Sequence, residues 1–280
     1  MPPYTIEDDT NPEVPGAVRT FALDDKVVAR EFPSDVGPEL AGVIDLPQGK
    51  VRRWGLFAHG FTLGKDSPAA SRVSKQLARE GIGMLRFDNL GIGDSDGDWG
   101  DGSFTLKVQD TLRAAAFMAE HATPVDLLVG HSWGGAAALA AAHEMPGLRA
   151  LATIAAPVDP SHVERQYDSV LDRVLSKGAH EWFVGRRTLV LKRAFVEDVR
   201  KAHLRDRIGE LNLPLLVAHS PTDSTVGIAN AAEIFQEARH PRSFISLEGA
   251  DHLLTARGQA QRAAHIISAW ADQYLDEARP

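Results

Sequence analysis

Cysteine is absent from this chain of 280 residues. That excludes disulfides, thiol redox chemistry and cysteine-ligated zinc. Positive charge is scarce: 30 lysines and arginines stand against 38 acidic residues, a formal net charge of −8. No basic cluster forms a stripe that could neutralise phosphates, so no nucleic-acid partner is expected. Long hydrophobic runs are missing too. None approaches the ~18 residues of a membrane-spanning helix, so no membrane partner is expected. The opening MPPYTIEDDT is polar and acidic, without the basic-then-apolar order of a signal peptide. The expectation is a soluble, cytoplasmic protein. Zinc-type histidine pairs of the H-E-x-x-H kind do not occur. Gly91-Ile92-Gly93 lacks the third glycine of a dinucleotide fingerprint, Asp96 standing in its place. Asp94 to Asp98 begins like a calcium loop, but Trp99 stands where an EF-hand needs glycine and Thr105 where it needs glutamate. No cofactor and no metal are expected.

What is present is ordinary for a globular protein: 44% apolar and 24% charged residues. The length suits one large α/β domain, with or without an insertion, or two small ones. Residues 1–16 hold four prolines and several acids and read as an irregular lead-in. Ala17–Phe21, Lys26–Glu31 and Leu40–Leu46 have the look of antiparallel edge strands. Arg53–Ala58 is a stronger strand. Ser67-Pro68 marks a helix start, serine as N-cap and proline at the first helical position, and Gly81 closes that helix. With a strand over Gly83–Asp88, this makes a βαβ unit and implies a parallel sheet. A glycine- and aspartate-rich loop, Asn89–Ser103, leads to a helix over Phe104–His121. After a strand over Leu148–Ala155 the strand–helix rhythm stops at Pro157 and resumes near Asn212. The interval carries two helical stretches, Val163–Leu175 and Arg193–His203, and a hairpin, Glu181–Leu191, centred on Gly185. We read residues 1–156 and 213–280 as the α/β core and 157–212 as a small lid insertion; ordinary α/β structure is the alternative. The chain ends on strands Leu213–His219 and Ser243–Leu247, each followed by a helix, Ile228–Ala238 and Arg257–Tyr274.

The stretch VDLLVGHSWGGAAALAAA, Val125 to Ala142, organises the rest. An apolar strand turns hard through Gly130-His131-Ser132-Trp133-Gly134 into an alanine-rich helix, the pattern of a nucleophile elbow, G-x-S-x-G. The apical serine needs a strained backbone, so its neighbours two away must be small. Gly135 lets the helix pack close to the strand. The free N–H groups of the helix start favour a developing negative charge at the same point. The motif alone also occurs by chance in loops; the strand before it and helix after it argue for a nucleophile.

A serine nucleophile needs a base within hydrogen-bond reach, and the base an orienting acid. Two loops that follow strands downstream supply them: HSPTD, ending at Asp223, and GADH, ending at His252. Loops at the carboxyl ends of parallel strands open on one edge of a sheet, so Ser132, His252 and Asp223 are the expected catalytic residues. Asp223 could instead cap a turn, and His252 could be a surface histidine. Asp251 and Asp159 are lesser candidates for the acid, His219 and His265 for the base. Asp251 is set aside because its side chain should point away from its neighbour, and His265 because it lies within a helix pattern. The oxyanion-hole donors are expected to be the backbone N–H groups of Trp133 and Phe61. His59 is expected to hold the Phe61 loop by hydrogen bonds rather than act as a base. The side chains of Phe61 and Trp133 would wall a substrate-binding site, or would be plain core. Tyr167, Trp182, Phe183 and Phe195 of the lid pose the same choice between an acyl site and a small core of the lid's own.

Together His59-Gly60-Phe61, FDNLGIGDS from Phe87 to Ser95, the elbow and the Asp223 and His252 loops resemble the α/β-hydrolase-fold serine hydrolases, over about Leu40 to Tyr274. More narrowly, SPTDSTVGIANA, GADHLL, GHSWGGAAALAAA and HGFTLGKDSPAASR resemble the hydrolase half of bacterial proteins in which a hydrolase precedes an OsmC-like peroxide-reducing domain. That resemblance implies a mostly parallel sheet flanked by helices with a small lid. The OsmC-like part is not expected here: the chain stops soon after the last hydrolase helix, and that domain's chemistry needs cysteines. Asn89-Leu90 also departs from the many hydrolases that carry an arginine near Gly91. Serine at position 132 sets the chain apart from fold relatives with aspartate there, such as haloalkane dehalogenases and epoxide hydrolases. The expected function is hydrolysis of a small-molecule carboxylic ester through an acyl-enzyme. Thioester, amide, lactone or C–C bond hydrolysis and perhydrolysis share the same triad. A non-catalytic small-ligand binder on a hydrolase scaffold is the reading from another class, and a homodimer is compatible with all of them.

Overall fold

In the computed structural model of this protein the strands are β1 (Val18–Thr20), β2 (Gly42–Asp45), β3 (Arg53–Ala58), β4 (Ile82–Phe87), β5 (Leu127–His131), β6 (Ala150–Ile154), β7 (Ala179–Val184), β8 (Arg187–Lys192), β9 (Leu215–His219) and β10 (Arg242–Ser246). Residues 18–20, 39–121, 123–185 and 187–275 are described by the structure. All but β7 and β8 form one sheet in the order β1-β2-β4-β3-β5-β6-β9-β10. The pairs β1–β2 and β2–β4 are antiparallel, and every other pair in this sheet is parallel. The antiparallel edge agrees with the sequence reading at both strands. The segment Lys26–Glu31 lies outside the described residues.

Successive strand residues face opposite ways, and here both ways lead to a core. Leu56, Leu128 and Leu151 pack into one hydrophobic cluster, while Phe57, Leu127, Val129 and Ala152 pack into the other. This is why the central strands read as unbroken apolar runs rather than as alternating ones. Helices α1 (Pro68–Arg79) and α8 (Gln259–Leu275) cover the second face. Helices α2 (Phe104–His121), α3 (Trp133–Ala141) and α7 (Ala229–Glu237) lie on the first. Ser67 occupies the N-cap position of α1, but its hydroxyl makes no capping bond; it is buried without a hydrogen-bond partner. Gly81, at φ +94°, ends this helix in the left-handed region, as expected of glycine there.

Between the adjacent strands β6 and β9 the chain makes α4 (Glu164–Lys177), the antiparallel hairpin β7–β8, α5 (Arg193–Lys201) and the short α6 (Arg205–Glu210). Gly185, at φ +60°, sits in the turn of the hairpin. Helix α6 was not legible as a helix: its RDRIGE buries only Ile208, too little for an apolar period to show. It packs against α3 and α7. Among the described residues, no helix is long and apolar enough to cross a membrane.

Candidate active site

Ser132 follows β5 directly and precedes the first residue of α3, with φ 55° and ψ −129°. A non-glycine residue held there costs about 1–3 kcal/mol. Its own N–H donates to the carbonyl of Ile154 at 2.8 Å, which ties the turn to the end of β6. The glycines around it have a packing reason. A Cβ at Gly134 would stand 2.3 Å from the carbonyl oxygens of Ala58 and His59, and one at Gly130 2.6 Å from that of Gly134. Gly135 allows close approach as expected, and its nearest neighbour is Ala156, just beyond β6; a Cβ there would lie 2.6 Å from the alanine methyl.

Two loops come to this serine from the ends of β9 and β10. The Ser132 hydroxyl lies 2.9 Å from His252 Nε2, the correct distance to donate to it. His252 Nδ1 lies 2.7 Å from Asp223 Oδ2 and donates to it. The other oxygen of Asp223 accepts from the N–H groups of Thr225 and Val226 at 2.8 and 3.0 Å. Burial pushes the Asp223 carboxyl up, but the bond from His252 and these two N–H donors outweigh it and hold the group below its ordinary value. Asp223 therefore also closes its own turn, the role weighed against it in the sequence, and both roles coexist.

The rivals are occupied elsewhere. Asp251 accepts from Leu253, Thr255 and Ala256 and folds its own loop. Asp159 accepts from the N–H of Ser161 at the start of a helical turn. His219 is fully buried, hydrogen-bonded to the Val226 carbonyl and 3.9 Å from Asp223. His265 is exposed on α8 beside Glu80. His59 Nδ1 donates to the Gly60 carbonyl at 2.9 Å and its Nε2 accepts from the Asn89 N–H; burial first, then the charge of Lys107, keeps its pKa well below the usual value. It holds the loop as a neutral ring. His131 had no assigned task in the sequence. Its Nε2 donates to the carbonyl of His252 at 2.7 Å, so the residue before the serine positions the loop of the histidine that the serine touches. Burial, then the proximity of His252, lowers His131 to about 4, keeping it neutral.

The Phe61 and Trp133 N–H groups have no hydrogen-bond partner among the described residues. Phe61 precedes Thr62, itself at φ 53°, and the Arg187 guanidinium of β8 donates to the Thr62 carbonyl at 2.9 Å. The side chains of Phe61 and Trp133 pack edge to face at 5.1 Å between ring centres and both line a cleft beside the elbow. Tyr167, Trp182 and Phe195 close on Phe61 at 6.2, 5.8 and 5.8 Å. The aromatics after β6 thus share one core with Phe61, rather than building a separate one, and Phe195 also lines the cleft. Phe183 does neither: it is 72% exposed on β7.

Lining the cleft are three linked polar residues, of which the sequence reading had noted Asn89 alone, as a departure in its loop. Lys107 Nζ donates to Asn89 Oδ1 at 2.5 Å, and Asn89 Nδ2 donates to Asp110 Oδ2 at 2.8 Å. Asp110 Oδ2 also accepts from the Leu90 N–H. Lys107 and Asp110 stand three apart on α2, on the side that carries buried Phe104, Ala114 and Phe117, so an i, i+3, i+7 count with polar residues admitted would have found them. Burial lowers Lys107 to about 7, opposed in part by Asp110, and raises Asp110 to about 6, opposed first by Asn89. A lysine whose pKa falls on folding releases its proton earlier in the folded than in the unfolded chain. Between pH 7 and its unfolded value the unfolded state then holds more protons, so stability rises with pH. From pH 7 to 9 the expected gain is about 2 kcal/mol, above the range in which Asp110 titrates. Urea unfolding at the two pH values, wild type beside Lys107→Met, checks it: the increment should vanish in the variant.

Comparison with known proteins gives the following. The family described as serine aminopeptidase, S33, matches residues 49–206. No curated protein matches. Among solved structures, the esterase domain of a Rhodothermus marinus protein is 34% identical, with a TM-score of 0.69 over 94% of this chain and 100% of that one. Est1E from Butyrivibrio proteoclasticus, solved with ferulic acid bound, is 17% identical, with a TM-score of 0.71 over 88% of this chain and 100% of its own. The α/β hydrolase GrgF from Penicillium sp. sh18 is 16% identical, with a TM-score of 0.72 over 94% of this chain and 100% of its own. The last two bear on fold alone. The mostly parallel sheet with helices on both faces is the α/β-hydrolase fold.

Proposed function

We propose, from the premise that the chain belongs to the α/β-hydrolase family described as serine aminopeptidase, S33, that it cleaves carboxylic esters through an acyl-enzyme on Ser132. The observation that carries this reading is the unbroken hydrogen-bond chain Ser132–His252–Asp223, at 2.9 and 2.7 Å. Asp223 keeps the proton of His252 on Nδ1, so Nε2 is free to accept from Ser132. As Ser132 Oγ bonds to the ester carbonyl carbon, its proton passes to His252 Nε2. The negative charge collects on the former carbonyl oxygen, where the Phe61 and Trp133 N–H groups donate to it. His252 then returns the proton to the departing alcohol. A water repeats the sequence on the acyl-serine and releases the acid.

The segment 157–212 acts in this reading as a lid, because Phe195 lines the cleft and Arg187 holds the Thr62 carbonyl. The narrower kinship with OsmC-fused hydrolases rests on the motifs alone. A cytoplasmic setting belongs to the same proposal, since a cysteine-free chain loses nothing in a reducing compartment. The family's description raises aminopeptidase activity as a second reading. Recognition of a peptide ammonium calls for an unopposed carboxylate. The carboxylate that lines the cleft, Asp110, is opposed by Lys107, which favours the ester.

Hydrolysis of p-nitrophenyl esters from acetate to palmitate, with mass analysis after fluorophosphonate treatment, tests the proposal. The expected result is turnover, with one adduct carried on Ser132. A chain that neither turns over any ester nor labels would be a binder and not an enzyme of this kind.

A further inference from the structure

Four described residues other than glycine stand at positive φ: Thr62, Ser132, Ala155 and Leu254. Ser132 is the proposed nucleophile, Leu254 stands two places after His252, and Thr62 directly follows Phe61. Backbone strain of this kind persists only where the surroundings over-determine it, and it gathers at functional sites. Thr62, at φ 53°, is the least comfortable of the four, because it alone is branched at Cβ and such residues are true outliers there. It is the third residue of a turn closed by the Leu63 N–H, which donates to the Gly60 carbonyl at 3.3 Å. A turn with positive φ at its third place ordinarily takes glycine or asparagine. Something must hold threonine in that place. The hairpin β7–β8 grips both sides of it. Trp182 of β7 stacks on the Phe61 ring, 5.8 Å between centres and 26° between planes. Arg187 of β8 donates to the Thr62 carbonyl at 2.9 Å. A further tie joins the same segment to the other proposed donor: the Trp133 indole N–H donates to the Pro160 carbonyl at 3.0 Å.

We infer that Arg187 is a positioning residue for the oxyanion hole: from the hairpin it holds the Gly60–Leu63 turn in the strained form that places the Phe61 N–H. The inference deepens the ester-hydrolase reading and rests on it. In this role Arg187 touches no reacting atom. Its bond fixes the carbonyl on one side of the strained residue, while Trp182 fixes the ring on the other. With Gly60 and Leu63 held as the ends of the turn, relaxing Thr62 to negative φ requires the peptide between Phe61 and Thr62 to turn over. That swings the Phe61 carbonyl about beside the hole or draws the Phe61 N–H out of line. Either way the field changes where the negative charge collects, and donors there are effective only when they are aimed beforehand. A misplacement of about 1 Å in such a site can cost about 100-fold in rate.

The test uses p-nitrophenyl butyrate, a neutral ester that offers Arg187 no charge to attract. Arg187 is exposed, so its replacement leaves the core intact. Arg187→Met should lower kcat by about ten-fold or more, with KM within about two-fold of wild type. A residue that bound substrate would raise KM instead. In the Thr62→Gly background the turn needs no outside hold, and there the same Arg187→Met change should cost less than about three-fold. An unchanged kcat in Arg187→Met, a rise in KM alone, or an equal loss in both backgrounds would overturn the proposal. A second measurement does not depend on catalysis. Hydrogen exchange of the Leu63 amide, read by NMR, should quicken by about ten-fold or more in Arg187→Met, while that of Ser132, bonded to the Ile154 carbonyl, stays as it is. An unchanged Leu63 rate overturns the hold. Failure of the wild type to hydrolyse any p-nitrophenyl ester would count against the esterase reading, while the exchange rates would still decide whether Arg187 holds the turn.

Discussion

Ser132→Ala is expected to lower kcat/KM for ester hydrolysis by roughly 10⁴- to 10⁶-fold, the range found when a nucleophile of this kind is deleted. In the proposed acyl-enzyme mechanism the three side chains work as one. The hydroxyl is a poor nucleophile until Nε2 of His252, 2.9 Å away, takes its proton, and the imidazolium that forms is stabilised by Asp223 at 2.7 Å. Without the serine, the histidine has no hydroxyl to activate. His252→Ala should therefore cost about as much, and the double variant Ser132→Ala/His252→Ala little more than either alone. Initial rates on one p-nitrophenyl ester, measured for the four proteins side by side, are sufficient. Additive losses would mean that the two residues act independently, and a Ser132→Ala protein that keeps most of its rate would remove the acyl-enzyme altogether. Circular dichroism should be unchanged, because the serine hydroxyl is a small part of the packing around the elbow.

Gly134→Ala is expected to destabilise the fold by about 3 kcal/mol or more, the upper range of overpacking in a rigid core. The added methyl would stand 2.3 Å from two carbonyl oxygens, those of Ala58 and His59. Both belong to the end of β3 and the turn after it, in the middle of the sheet, where neighbouring strands leave no room to yield. Helix α3 would have to lift away from β3, taking Ser132 and the Trp133 N–H with it. Gly185→Ala supplies the contrast. That glycine has nothing within 4 Å of an added Cβ and only its φ of +60° to resist the change, so about 1 kcal/mol is expected. Urea midpoints for both variants decide the matter. A Gly134→Ala protein as stable as wild type would mean that the elbow can shift, and that the tight approach of α3 to β3 is not what demands glycine there.

Much of the site could be read along the chain because its parts are local. Ser132, Asp223 and His252 each lie just after a strand, β5, β9 or β10, and parallel strands deliver such residues to one edge whatever lies between them. The elbow glycines were legible for the same reason, since the turn they permit spans five residues. His59 was read as a holder of its loop, and its bonds to the Gly60 carbonyl and the Asn89 N–H agree with that reading.

What the chain alone left open was decided by direction and depth. Trp182 and Phe183 are neighbours on one strand and equally apolar, yet the first is 5% exposed and stacks on Phe61 while the second is 72% exposed. Strand residues alternate sides, and only the docking of the hairpin says which side is inside. His131 looked like filler in G-x-S-x-G, and its bond to His252 spans 121 residues. Lys107 and Asp110 were given no task in the sequence, and they are buried where α2 packs against the sheet. The sequence determined which groups could do chemistry and that strand ends would gather them. Tertiary structure decided which charges are stripped of water, because desolvation depends on what packs over a residue and not on the residue itself.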